Sequence, residues 1–80
     1  MNNIKKIEKI FCEVMELKTI PKNFAEMKIG SINQWDSLAN MNLLMSLEKN
    51  FSIRLSLDEM TEINSIDSIK LKFLKLKKEL

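Results

Sequence analysis

Asp36, Ser37 and Leu38 mark the place in this chain where residue type and position together point to chemistry. Leu38 opens an apolar pattern of helical period that runs on through Met41, Leu44, Met45 and Leu47 or Glu48 to about Asn50, with Leu43 widening the stripe. Asp36 is a good N-cap residue, because its side-chain oxygen accepts from an early backbone N–H. Ser37 then sits at the N-terminal edge of a helix, where the first N–H groups lack intrahelical partners and the dipole adds partial positive charge. A phosphate esterified to this hydroxyl therefore sits in a favourable anion site. The plainer alternative, which local physics alone favours, is that Asp36 and Ser37 are simply helix-start residues, which they resemble in composition.

Other reactive chemistry is scarce. The chain has no histidine, which removes the usual general base, the commonest metal ligand and every Ser-His or Cys-His nucleophilic pair. Its one cysteine, Cys12, excludes an intrachain disulfide and reads either as a reactive thiol or as a small packing residue on the first helix. A reduced, cytoplasmic setting fits both. Eighty residues form one domain, 1–80, with a modest core and little room for a deep private active site. No apolar run reaches the roughly 20 residues of a membrane span, and the Lys-Ile alternation of the N-terminus is unlike a signal peptide.

The elements that must position Ser37 follow from hydrophobic period. Ile4, Ile7, Ile10, Phe11, Val14 and Leu17 predict an amphipathic helix over 3–17, with Asn2 or Asn3 as its cap. Between it and Ser37 lie about 18 residues, Lys18 to Trp35, holding the only proline and the only glycine. A connection of that length in a compact domain needs a reason. Ile20, Phe24, Met27, Ile29, Ile32 and Trp35 make it a packed loop, with a helical turn at 22–27. Ser56 and Glu59 form a capping-box pattern for a short helix ending at Glu62 or Ile63. Asn64-Ser65 caps a last helix from Ile66 to about Lys78, with Ile66, Ile69, Phe73, Leu76 and Leu80 on one face and Lys75, Lys77 and Lys78 in its final turns. No segment reads as a strand. The expected fold is all-α, a small four-helix bundle of three main helices and one short helix, with a long loop between the first two.

The wider register around Ser37 resembles a known family. Asp36-Ser37-Leu38, followed by Leu43, Leu44 and Leu47-Glu48-Lys49-Asn50-Phe51-Ser52-Ile53, is similar to the Asp-Ser-Leu and Leu-Glu-x-x-Phe-x-Ile pattern of acyl and peptidyl carrier proteins. The following segment, Asp58 to Ile66, looks like that family's short acidic helix and the turn after it, with no gap between Ser37, Phe51 and Ile63. The resemblance covers essentially the whole chain, most specifically 34–69, and includes the long first loop. It implies that Ser37 receives 4'-phosphopantetheine from coenzyme A through a phosphopantetheinyl transferase, and that Asp36 helps present the serine and its metal-bound donor to that enzyme. The arm's thiol then carries an acyl or aminoacyl group as a thioester between the loading and transfer enzymes of a biosynthetic pathway. Such a protein is a monomeric substrate carrier and not itself an enzyme, which suits a chain without histidine. It offers cargo at high effective concentration.

The sequence also departs from that pattern. Ala39, Asn40, Asn42 and Ser46 stand where carriers of fatty-acid synthesis often have acids, leaving Asp36 and Glu48 as the helix's only carboxylates and predicting weak steering to a basic partner. Gln34 replaces the usual glycine, and the Trp-Asp-Ser-Leu form looks like stand-alone carriers of dedicated pathways, such as sugar or secondary-metabolite modification. Trp35, Met41, Met45 and Glu48 are candidates for a partner-docking face. Met41 is preferred because it lies one turn after Ser37; Trp35, Met41 and Met45 also fit as core residues.

Charge separates the remaining readings. Net charge is +2 over 1–35, −4 over 36–67 and +4 over 68–80. An acidic middle between basic ends, with Arg54 the sole arginine, argues against a nucleic-acid-binding face, and the lysines from Lys70 to Lys78 read first as a solvated helix face. The competing function is an unmodified helical interaction module of the same fold.

Overall fold

The computed structural model describes the backbone of residues 3–79 and the side chains of residues 4–73. Among these, four helices and no strand are present: α1 (Asn3–Met15), α2 (Ser37–Phe51), α3 (Leu57–Glu62) and α4 (Ile66–Glu79). The fold is a small all-α bundle, as the hydrophobic periods predict. The side chains of Asn2 and Asn3, either of which is expected to cap α1, and those of Leu76, Leu80, Lys75, Lys77 and Lys78 lie outside the described residues.

Helix ends are set by local hydrogen bonding. α1 stops at Met15, two residues earlier than its apolar period suggests, because Glu16 turns left-handed at φ 59°. Leu17 N–H then donates to Cys12 O at 2.9 Å and Glu16 N–H to Glu13 O at 3.3 Å, a Schellman closure that satisfies the last carbonyls. α2 ends in the same way at Ser52, φ 56°, with Ile53 N–H donating to Glu48 O at 3.0 Å. Neither closure uses glycine, so each carries the modest strain of a left-handed L-residue.

One hydrophobic core joins all the elements. α1 contributes Ile7, Ile10, Phe11 and Met15, while Ile4 at its start is largely exposed. On α2 the buried positions are Asn40, Leu43, Leu44, Leu47 and Phe51. That stripe is rotated from the expected one: Leu38 and Met45 face solvent, and Met41 is only half-buried. α4 buries Ile66, Ile69 and Phe73 as its period predicts.

The long first loop is part of this core. It makes a single 3-10 turn at Phe24–Glu26, inside the span expected to turn. Phe24 and Trp35 both pack edge-on against Phe11, with ring centroids 5.2 and 5.1 Å away. Gly30, at φ 90°, lets the chain reverse so that its N–H reaches Trp35 O at 2.9 Å. A lone antiparallel bridge, Lys28 to Ser65, clips the loop to the α3–α4 junction through Ile29 N–H to Asn64 O (2.9 Å) and Ile66 N–H to Met27 O (3.0 Å). The clip pairs the Ile29 N–H and the Met27 carbonyl, backbone groups that a loop closing over the core would otherwise leave without protein partners.

α3 begins with the capping box its sequence predicts. Glu59 N–H donates to Ser56 Oγ at 3.1 Å, and Ser56 N–H to Glu59 Oε1 at 2.9 Å. The other Glu59 oxygen accepts from Lys72 Nζ at 2.9 Å, tying α3 to α4. The Ser56 backbone N–H, with Lys72 adding to it, holds the Glu59 carboxyl below its ordinary pKa. A carboxyl depressed on folding contributes stability that is complete above its unfolded pKa and lost as pH falls through the lower folded value. Glu59→Gln keeps the cap geometry and removes the charge. Urea unfolding across the acid range should show this variant less stable than wild type near neutrality, with the two curves converging as pH drops; parallel curves would contradict it.

Candidate functional site

Ser37 is the first residue of α2 and is exposed. Asp36 is its N-cap in extended geometry: Asp36 Oδ1 accepts from Ala39 N–H at 2.8 Å, and Asp36 O accepts from Asn40 N–H at 2.8 Å. The N–H groups of Ser37 and Leu38 belong to the first turn and have no helical carbonyl to reach. An oxyanion on the Ser37 hydroxyl would therefore meet unpaired N–H groups and the positive end of a fifteen-residue helix. Asp36, the nearest carboxylate in sequence, has one oxygen committed to the cap.

A cleft of about 340 Å³ opens beside Ser37, lined by Ile29, Asn40, Met41, Met60, Thr61 and Asn64. It lies between the first half of α2, the end of α3 and the clipped loop. Met41 and Met60 also wall a larger groove of about 760 Å³ that continues along the far half of α2 to Ile53, Leu55 and Leu57. Apolar walls with a few polar groups at the mouth are the usual make-up of a small-molecule site.

Asn40 is the site residue that sequence reasoning placed wrongly. Grouped with Ala39, Asn42 and Ser46 as a thinned acidic face, it is instead only 5% exposed. Its Oδ1 accepts from Trp35 Nε1 at 2.9 Å, and its Nδ2 donates to Ile63 O at 2.8 Å. The signal was present: Asn40 precedes Leu43, Leu44 and Leu47 by three, four and seven residues, the period of the buried face. Thr61 and Asn64, also at the cleft, carried no comparable signal.

The expected docking face divides into buried and exposed parts. Trp35 is 0% exposed, its ring against Phe11 and its N–H on Asn40, so it is a core residue and has no surface to offer a partner. Glu48 is half-buried, and its Oε2 accepts from Leu55 N–H at 2.6 Å. That carboxylate fastens the segment after α2 and is not a free steering charge. Met45 is exposed and Met41 half-buried, both on the groove. Leu38, beside the serine, is 73% exposed.

Two other candidates, as far as the described residues extend, engage in packing and pairing. Burial, and then the charge of Glu8, raise the Cys12 thiol above its ordinary pKa, which disfavours the reactive thiolate and supports the packing reading. Lys72 of the C-terminal lysine run pairs with Glu59, and Lys70 is half-buried. No metal-binding group of side chains is found among the described residues, and none of their helices is long and apolar enough to cross a membrane. Comparison with protein-family models, with curated proteins and with solved structures gives no match for this chain.

Asn40 makes the site's geometry testable. Asn40→Ala leaves Trp35 Nε1 and Ile63 O buried without partners and should cost about 2 kcal/mol in urea unfolding followed by circular dichroism. Asn40→Asp keeps the acceptor but sets a carboxylate against the Ile63 carbonyl. Burial raises that carboxyl's pKa, so the variant should be weakest at neutral pH and recover as acid protonates it.

Proposed function

We propose that this protein is a carrier that bears an acyl or aminoacyl group on a 4'-phosphopantetheine arm at Ser37 and presents it to partner enzymes. The observation that carries this reading is an exposed serine hydroxyl at the first position of an Asp-capped helix, at the mouth of a partly apolar cleft. The ungapped likeness from Asp36 through Phe51 to Ile63 supports it independently.

The residues present fit the group. The first-turn N–H groups suit the phosphodiester, whose single negative charge the helix dipole favours. Thr61 and Asn64 offer polar contacts at the cleft mouth, and Met41 and Met60 offer apolar ones further in. When bound, the arm supplies a terminal thiol that holds cargo as a thioester. The chain's own part is to expose Ser37 Oγ, fix its direction through the Asp36 cap and shelter the arm's apolar portion. Attachment forms an Oγ–P bond as the P–O–P link of coenzyme A breaks. The adenosine bisphosphate half leaves, and the hydroxyl proton passes to a base of the transferase, since this chain has no histidine to take it. Asp36, half engaged in its cap, would meet the transferase's metal with its other oxygen.

The second reading, an unmodified interaction module, is favoured by one observation, the exposed apolar side chains of Leu38, Met45 and Leu57. Intact-mass measurement separates the two. With coenzyme A and a broad-specificity transferase the wild type should gain the mass of one phosphopantetheine group, and Ser37→Ala should gain none. Asp36→Asn, which preserves the cap, should be modified more slowly than wild type while unfolding at nearly the same urea concentration. A wild type that no such transferase modifies would favour the interaction module.

A further inference from the structure

Leu38, Met41 and Met45 lie at i, i+3 and i+7 on α2 and so share one face. Across the larger groove, Leu57 at the start of α3 is 73% exposed, and Met45 is 55% exposed. Single exposed apolar residues need no explanation, but Met45 and Leu57 converge on one concavity with Met41 and Met60 at its floor. Methionine suits such a floor, because its flexible thioether adapts to what packs on it.

The charges at the rim decide the chemistry of the occupant. Glu48, Lys49 and Arg54 are the charged residues that line the groove. Glu48 is committed to Leu55 N–H. Lys49 and Arg54 are exposed and have no ion-pair partner among the described residues. The carboxylates of α3 do not line the groove, and Glu59 is held by Lys72. The free rim charge is therefore positive, within a middle segment whose net charge is negative.

We infer that this groove receives an acidic, amphipathic segment of a partner protein, with apolar side chains on the methionine floor and carboxylates at Lys49 and Arg54. The inference rests on the proposed function only in naming that partner as an enzyme that acts on the arm. Met45 follows Ser37 by eight residues, about 12 Å along the helix axis. A segment seated there holds its own protein beside the attachment point.

The test is selection of a displayed library of short random peptides against the protein carrying Ser37→Ala, with the double variant Lys49→Glu/Arg54→Glu as decoy. Enriched peptides should set Asp or Glu beside Leu, Ile, Phe or Met. They should bind the double variant at least about tenfold more weakly at low salt, with the gap closing as salt is added. Met45→Ser, at an exposed position, should weaken them independently of charge. Enrichment of neutral or basic peptides, no enrichment, or equal binding to the decoy overturns the inference. So does self-association dispersed by the double variant, or competition by anionic phospholipid vesicles, which would make the occupant a second copy or a lipid surface. Because Ser37→Ala carries no arm, a wild type that never takes phosphopantetheine leaves a positive selection standing, and a failed selection leaves modification of Ser37 standing.

Discussion

Asn40 holds together three segments that apolar packing alone would leave free to slide. Its amide receives the Trp35 N–H from the end of the first loop and donates to the Ile63 carbonyl at the end of α3, while its backbone N–H donates to the Asp36 carbonyl in the first turn of α2. A hydrophobic contact is non-directional, but two hydrogen bonds of fixed geometry set a register. No buried side-chain N or O atom among the described residues lacks a partner, and both polar atoms of this amide are engaged. A paired buried amide is a source of specificity where an unpaired one is a penalty. Ser37 lies one turn earlier on the same helix and inherits its position from that node.

The first loop supplies the other half of the frame. Phe11 takes Phe24 and Trp35 on its edges, and the Lys28–Ser65 bridge pins the loop to the α3–α4 junction. The chain is therefore held by packing and hydrogen bonds on its approach to Asp36, the N-cap of α2. α1, the loop and α4 pack against one another behind the site. The exposed face of α2 and the short α3 form the front, where the cleft and the groove lie.

The helical class and most element boundaries were legible because capping chemistry is local. Asp36, Ser56 and Ser65 announce their helices through side chains that reach only three residues ahead. One helix end was less legible: α1 stops two residues before its apolar period runs out, because Glu16 adopts a left-handed φ without glycine, a choice made by the closing hydrogen bonds and by nothing in residue type. By contrast, α2, α3 and α4 end within a residue of the expected place. Which face of α2 is buried was misjudged, because Leu38, Met41 and Met45 have the same apolar character as Leu43, Leu44 and Leu47. Period alone does not rank two apolar stripes on one helix; the ring of Trp35 and the carbonyl of Ile63 do, by demanding an amide at position 40. The helix-start position of Ser37 was legible from the capping Asp before it, whereas the cleft beside it depends on how α3 docks. Tertiary contacts decide that docking, and no local pattern encodes them.

The burial of Trp35 gives the molecule a built-in optical probe. The chain has one tryptophan and no tyrosine, so its near-ultraviolet emission comes almost entirely from a single indole. That ring is sealed from water, stacked edge-on against Phe11 and hydrogen-bonded to the residue that lines the cleft beside Ser37. Any event that pulls on Asn40 changes the polarity felt by that one fluorophore. The protein thus carries, two residues from its candidate attachment serine, a label-free sensor of that serine's surroundings.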